Sequence, residues 1–200
     1  MSLEVLLALA AFAFVSSVTP GPNNFMLLAS GVNFGFLRTI PHMCGIAFGF
    51  CLLLLAVGFG LGALLTAYPP LHLALKILGG TYLLYLAWRI ATTRTVKERG
   101  GREAPMTFLE AAAFQWVNPK AWVLAVTGMA IYTDPARPFL TVLLVTLVFT
   151  LVNWPSVSIW AAFGVLLRRF LSDPKRLKWF NIAMGVLLAL SLVPLLLQGH

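Results

Sequence analysis

The chain has 200 residues, of which 60% are hydrophobic and 10% charged. Soluble domains carry roughly 25% charged residues, so these few charges could not coat a water-facing surface, and the outer apolar surface must meet lipid. The net charge of +8 lies in short segments between apolar runs with no aromatic–basic module beside it, which excludes a nucleic-acid groove and marks membrane topology instead.

A helix that crosses a bilayer needs about 20 apolar residues. Runs of that kind fall at roughly 3–32, 42–66, 71–91, 107–131, 138–167 and 177–197. Turn or charge signals separate them: Gly35 to Pro41, Tyr68-Pro69-Pro70, Thr92 to Pro105, Thr133-Asp134-Pro135 and Ser172 to Lys178. The expected fold is an all-α membrane protein, one transmembrane domain over residues 1–200 with six spanning helices. No Lys or Arg precedes the first run, whose only early charge is Glu4, so it reads as a retained helix rather than a signal peptide.

The first run holds the most informative stretch, Val18-Thr19-Pro20-Gly21-Pro22-Asn23-Asn24. As continuous helix it would extend roughly 45 Å against a hydrocarbon core of roughly 30 Å. Two prolines around a glycine remove backbone donors and disfavour helix before each proline, which predicts a break near mid-membrane. Lipid cannot satisfy the orphan carbonyls and N–H groups of such a break, so it must line a protein-buried or watered cavity. A half-helix starting near Asn23 would aim its positive end into that cavity, a ready carboxylate site, with Asn23 and Asn24 as added polar groups. The competing expectation is a plain proline kink.

In the second run, Cys44 and Cys51 are seven residues apart, too far to pair within a regular helix, and read as packing residues. Gly45-x-x-x-Gly49 reads as a close helix approach. His42, at the start of this run beside Pro41, is either an interfacial structural residue or a proton relay.

The fourth run contains Trp116-Val117-Asn118-Pro119-Lys120-Ala121-Trp122. A lysine there costs about 2.5–3.5 kcal/mol on insertion scales. Lys120 either snorkels to the cytoplasmic surface or serves as a cation in the cavity, pairing with a substrate carboxylate or with freed carbonyls. Gln115, one turn before Pro119, is a lesser candidate. In the fifth run Asn153-Trp154-Pro155-Ser156 predicts a third break, with Asn153 or Ser156 answering the freed carbonyl or facing the cavity. The candidate substrate site is therefore Thr19, Pro20, Gly21, Pro22, Asn23, Asn24, Asn118, Pro119, Lys120 and Asn153.

Loops one, three and five carry one, five and five basic residues, eleven of the fourteen in the chain. They are expected in the cytoplasm of a cell whose inner membrane holds the protein, with both termini outside. Residues 3–91 and 107–197 form two three-helix halves of nearly equal length, so any repeat relating them is inverted, with Pro20–Pro22 matching Pro119 and Gly80 matching Gly185.

The stretch VTPGPNN, the Gly35-x-x-Arg38 loop, Gly45-x-x-x-Gly49, Gly79-Gly80-x-Tyr82-Leu83 and the central NPK at 118–120 resemble the LysE/RhtB family of amino-acid exporters over essentially the whole chain. The resemblance is nearest to the neutral amino-acid, homoserine and cysteine-type branch. It implies secondary export of amino acids from the cytoplasm, driven by the proton gradient. Glu110 departs from the family's pattern, where a small residue such as glycine is expected. It is either a charge at a helix start or a proton-handling group.

The acidic residues are Glu4, Glu98, Glu103, Glu110, Asp134 and Asp173, none at the centre of a run. A basic side chain would want a buried carboxylate, so the inventory favours an amino acid with a small uncharged side chain. Small-residue helix faces permit a homodimer without requiring one. A thiol–electron carrier would need a cysteine near the break of each half. An uncoupled channel differs only in lacking dependence on a gradient. An enzyme or a bound metal or cofactor is not expected, since there is no G-x-S-x-G or H-E-x-x-H and His42, His72 and His200 are scattered.

Overall fold

A computed structural model describes residues 1–93 and 104–193. Arg94, Lys97, Arg99 and Arg102 of the third loop and the end of the sixth run lie outside the described residues. The described chain is helical: α1 (Leu3–Val18), α2 (Pro22–Phe34), α3 (Phe36–Ala56), α4 (Gly62–Ala67), α5 (Pro69–Thr92), α6 (Phe108–Phe114), α7 (Pro119–Tyr132), α8 (Pro138–Leu167) and α9 (Pro174–Leu190).

Proline and glycine set most of these boundaries. Pro22, Pro69, Pro119, Pro138 and Pro174 all stand in the first turn of their helices, where a missing N–H leaves no intrahelical bond unmade. Gly35, at φ 84°, turns the chain between α2 and α3 in a conformation that a side chain would strain. The second helical run therefore starts at Phe36, earlier than the expected 42, and Pro41 lies inside α3. Beyond Ala56 a π-helical turn, Val57–Leu61, contains Gly60 at φ 111° and kinks the path into α4.

Phe36–Leu61 and Pro138–Leu167 are each long and apolar enough to cross a membrane. α1 and α2 make a third such segment if their bent pair, angled at 57°, counts as one span. The expected third break is corrected: Pro155 sits inside α8, which runs unbroken for 30 residues. One proline removes one backbone bond, and neighbouring turns carry the helix past it, whereas Pro-Gly-Pro in the first run removes two donors and adds a flexible residue.

The polarity of the molecule is inverted relative to a soluble protein. Leu37, Leu109, Leu147, Leu151, Phe163 and Leu166 are exposed, while Thr39, His42, Gln115, Asn118, Ser156 and Asn181 are buried. Such a surface fits hydrocarbon, and polar groups collect inside where they can pair. α2 packs most extensively on α8, α5 on α9, and α3 on both α6 and α8. Gly45 and Gly49 bring α3 against the backbone of Phe108 and Ala112 on α6, so this pair is a packing face.

Candidate functional site

α1 stops at Val18 and α2 starts at Pro22, and the carbonyls freed at the end of α1 are answered by side chains of the break itself and of α2, α7 and α8. The Ser16 carbonyl accepts from Thr19 Oγ1 at 2.8 Å, and the Ser17 carbonyl from Asn24 Nδ2 at 2.8 Å. The Val18 carbonyl accepts from Trp160 Nε1 of α8 at 3.1 Å. The Thr19 carbonyl accepts from Asn24 Nδ2 at 2.8 Å and from Lys120 Nζ at 2.6 Å. Lys120 Nζ also donates to Thr19 Oγ1 at 2.9 Å and approaches the Pro20 carbonyl at 3.4 Å. The negative end of α1 thus holds a cation from a residue 101 positions away.

Lys120 comes from the second interruption. α6 ends at Phe114, and residues 115–118 donate to carbonyls three positions back, from Gln115 to Ala112 through Asn118 to Gln115. This tighter winding uses the carbonyls that a sharp break would leave free. Trp122 Nε1 takes the Trp116 carbonyl at 2.8 Å. Asn118 is the N-cap of α7, its Oδ1 accepting from the Lys120 backbone N–H at 3.1 Å, and Pro119 follows as the first helical residue. Asn-Pro-Lys therefore starts a helix and aims the lysine back at Thr19. Gly21 makes room for it, since a Cβ there would stand 2.7 Å from Lys120 Cδ.

Asn23 joins the two interruptions. Its Nδ2 donates to Gln115 Oε1 at 2.8 Å, and Gln115 Nε2 returns a bond to Asn23 Oδ1 at 3.1 Å. Gln115 is fully buried and also donates to the Ala111 carbonyl at 2.9 Å. Asn153 of α8 donates to Ser17 Oγ at 3.2 Å, and its buried Oδ1 has no partner among the described residues. Ser16, Ser17, Gly21, Asn23, Asn24, Gln115, Asn118, Lys120 and Asn153 line one cavity of about 30 Å³, closed by Phe50, Ala121, Leu124 and Val157. That is room for one or two waters, one of which could answer Asn153. It is far too small for an amino acid.

All ten candidate residues from the sequence meet around the two interruptions, with Thr19 and Pro20 exposed at the rim. Their parts differ. Asn24 and Asn118 are spent on helix ends, whereas Lys120 and Asn23 face the cavity with contacts that a ligand could replace. The α2 N-terminus has no side-chain cap at Gly21, so its first N–H groups remain without one. The sequence carries no signal for Trp160, and Gln115, a lesser candidate there, is the buried partner of Asn23. Glu110 closes a capping box with Thr107, its carboxylate accepting from the Thr107 backbone N–H at 2.8 Å, which is the helix-start role. Neither cysteine lines the cavity; both lie on α3.

The Asn23–Gln115 pair carries a stability prediction. Asn23→Leu leaves the Gln115 amide buried without its partner, at a cost of about 1–3 kcal/mol. Asn23→Leu with Gln115→Leu removes both polar groups and should recover most of that loss. Thermal unfolding in detergent over the double-mutant cycle checks it, and additive losses would refute a coupled pair.

The LysE type translocator family profile matches residues 14–199. The chain is 30% identical over 190 residues to the cysteine/O-acetylserine efflux protein of Escherichia coli (strain K12), covering 94% of this chain and 95% of that one. The same identity and coverage hold for the cysteine/O-acetylserine efflux protein of Shigella sonnei (strain Ss046). No solved structure matches the chain.

Proposed function

The chain belongs to the LysE type translocator family, and from that premise we propose that this membrane transporter exports small amino acids with an uncharged side chain by proton antiport. Membership makes it a transporter and not an enzyme. The observation that carries the proposal is the Lys120 ammonium held at 2.6 Å from the Thr19 carbonyl, beside the uncapped start of α2.

That arrangement is a resting state for a carboxylate site. An arriving substrate carboxylate replaces the Thr19 and Pro20 oxygens on Lys120 and takes the first N–H groups of α2. The oxygens released, with Asn23 Oδ1, then accept from the substrate ammonium. Each partner displaced belongs to the substrate-free contraction, so loading and opening of the cavity are one event. No acidic residue among those described lines the cavity, which leaves a basic side chain without a counter-charge. The relatives named for cysteine and O-acetylserine efflux support cargo of this small, uncharged kind.

We place six spans in the inner membrane as inverted repeats of 3–91 and 107–197: α1 with α2, α3 with α4, α5, α6 with α7, α8 and α9. Exchanging the halves maps α1 onto α6 and α3 onto α8, so the packing of α3 on α6 corresponds to that of α8 on α1, which supports the repeat. The basic loops put Arg38, Arg89 and Arg168 on the cytoplasmic side and both termini outside. No second copy is needed, since the glycine faces at Gly31, Gly45, Gly49 and Gly164 are spent within the chain.

Cells that overproduce O-acetylserine and carry the protein should release more of it than cells without, and equal release would contradict export. The variant with Cys44→Ser and Cys51→Ser should export as well as the parent. Loss of release in that variant would favour a thiol–electron carrier.

A further inference from the structure

A second cavity, of about 280 Å³, lies on the side of the basic loops. One face of α2 lines it from Met26 to Phe34, so the helix whose first turn holds Asn23 and Asn24 leads directly from this cavity to the break. Its volume suits an amino acid, as the cavity at the break does not.

Most polar side chains around it are already paired. Ser30 and Thr39 share a bond of 2.8 Å. Asn33 donates to the Ala29 carbonyl at 2.8 Å and to Asn181 Oδ1 at 3.0 Å, and Asn181 returns a bond at 3.3 Å. Thr92 and Thr93 donate back to their own helix. Two groups keep unspent capacity. His42 is 2% exposed, and neither ring nitrogen has a partner among the described residues. Among the described residues Arg89 makes one bond, from Nη2 to the Ala104 carbonyl at 3.3 Å, leaving the rest of its five-donor fork. A buried imidazole with both nitrogens unmet is costly, and among buried side chains such an exception calls for a partner from outside the chain.

We propose that His42 and Arg89 form a waiting site in which a zwitterionic small amino acid binds from the cytoplasm before it passes along α2 to Lys120. The Arg89 guanidinium takes the carboxylate, for which its planar fork is suited. The acceptor nitrogen of neutral His42 takes the ammonium, and Met26, Leu86 and Met106 meet the side chain. Glu110, whose charge acts on both, is committed to its capping box and does not line the cavity. The waiting site rests on the export function and its cytoplasmic orientation.

The test uses full-length protein in lipid nanodiscs, labelled with ¹⁵N at its three histidines and titrated with O-acetylserine, alongside efflux of O-acetylserine from proteoliposomes of the same preparation. His42→Gln assigns the His42 ring resonance. The expected result is a saturable shift of that resonance, kept in Lys120→Gln and in Asn23→Ala, and weakened about tenfold by Arg89→Gln, the loss of one charge-assisted bond. An unmoved His42 resonance with intact efflux overturns the waiting site and leaves export standing. An unmoved resonance with no efflux of O-acetylserine overturns both. A shift that vanishes in both break variants also overturns it, because His42 would then be reporting on binding at the break.

Discussion

Lys120→Met lowers amino-acid efflux roughly 10- to 100-fold while the protein still folds and inserts. The expectation follows from what the ammonium does in two states. In the resting state it donates to Thr19 at 2.6 and 2.9 Å, yet the Thr19 carbonyl keeps Asn24 at 2.8 Å when the lysine is gone. Folding therefore loses a charged bond without leaving that carbonyl orphaned. Methionine fills the space of the stem, and removing a lysine from an apolar span eases insertion. The same ammonium is the only cation among the described residues that lines the cavity at the break, where a substrate carboxylate would need it. A bond to a charged group contributes about 1.5–3 kcal/mol, which at about 1.4 kcal/mol per tenfold gives the stated range. Gly21→Ala should act in the same direction by pushing the lysine stem aside, since its Cβ would come within 2.7 Å of Lys120 Cδ. Measured initial rates from proteoliposomes, normalised to inserted protein, check both. Parental rates in Lys120→Met would show that the ammonium merely caps α1.

Gly31→Leu and Gly164→Leu each prevent the protein from reaching a monodisperse folded state in detergent. The two glycines face each other where α2 crosses α8: a Cβ on Gly31 would run into the Ala161 carbonyl, and one on Gly164 into the Leu28 carbonyl. Both obstacles are backbone, so no rotamer change relieves them. Overpacking a tight core commonly costs about 1–3 kcal/mol, and more where backbones must part. Separating α2 from α8 would also pull Trp160 off the Val18 carbonyl and Asn153 off Ser17, dismantling the break that α8 supports. Gly80→Ala is the control, because its Cβ would meet nothing nearer than Leu192 Cδ2 at 3.7 Å. Size-exclusion profiles and melting curves decide. Normal folding of Gly31→Leu would mean that α2 and α8 are not held as close as described.

What the sequence could show depended on whether the cause was local. Pro20-Gly21-Pro22 and Asn118-Pro119 announce their interruptions because prolines act on their own neighbours. The cost of Lys120 in an apolar run likewise pointed to a partner without saying which. The partner itself, Thr19, lies 101 positions away, Gln115 lies 92 from Asn23, and Trp160 lies 142 from Val18. Only packing brings such pairs together, and the sequence alone does not show that Asn24 closes the end of α1. Pro155 was over-read, since the same residue type breaks a helix or rides inside it according to what its neighbours support. The π-turn at Gly60 left no mark beyond one glycine among several, and His42, at the start of the run in the sequence, lies inside α3 because the helix begins six residues before it.

The most direct measurement loads proteoliposomes with a mixture of labelled neutral and basic amino acids and follows which ones leave, with and without an imposed proton gradient. The account predicts gradient-dependent efflux of a small neutral amino acid such as cysteine or O-acetylserine. Preferred efflux of lysine or arginine, or efflux indifferent to the gradient, would contradict it.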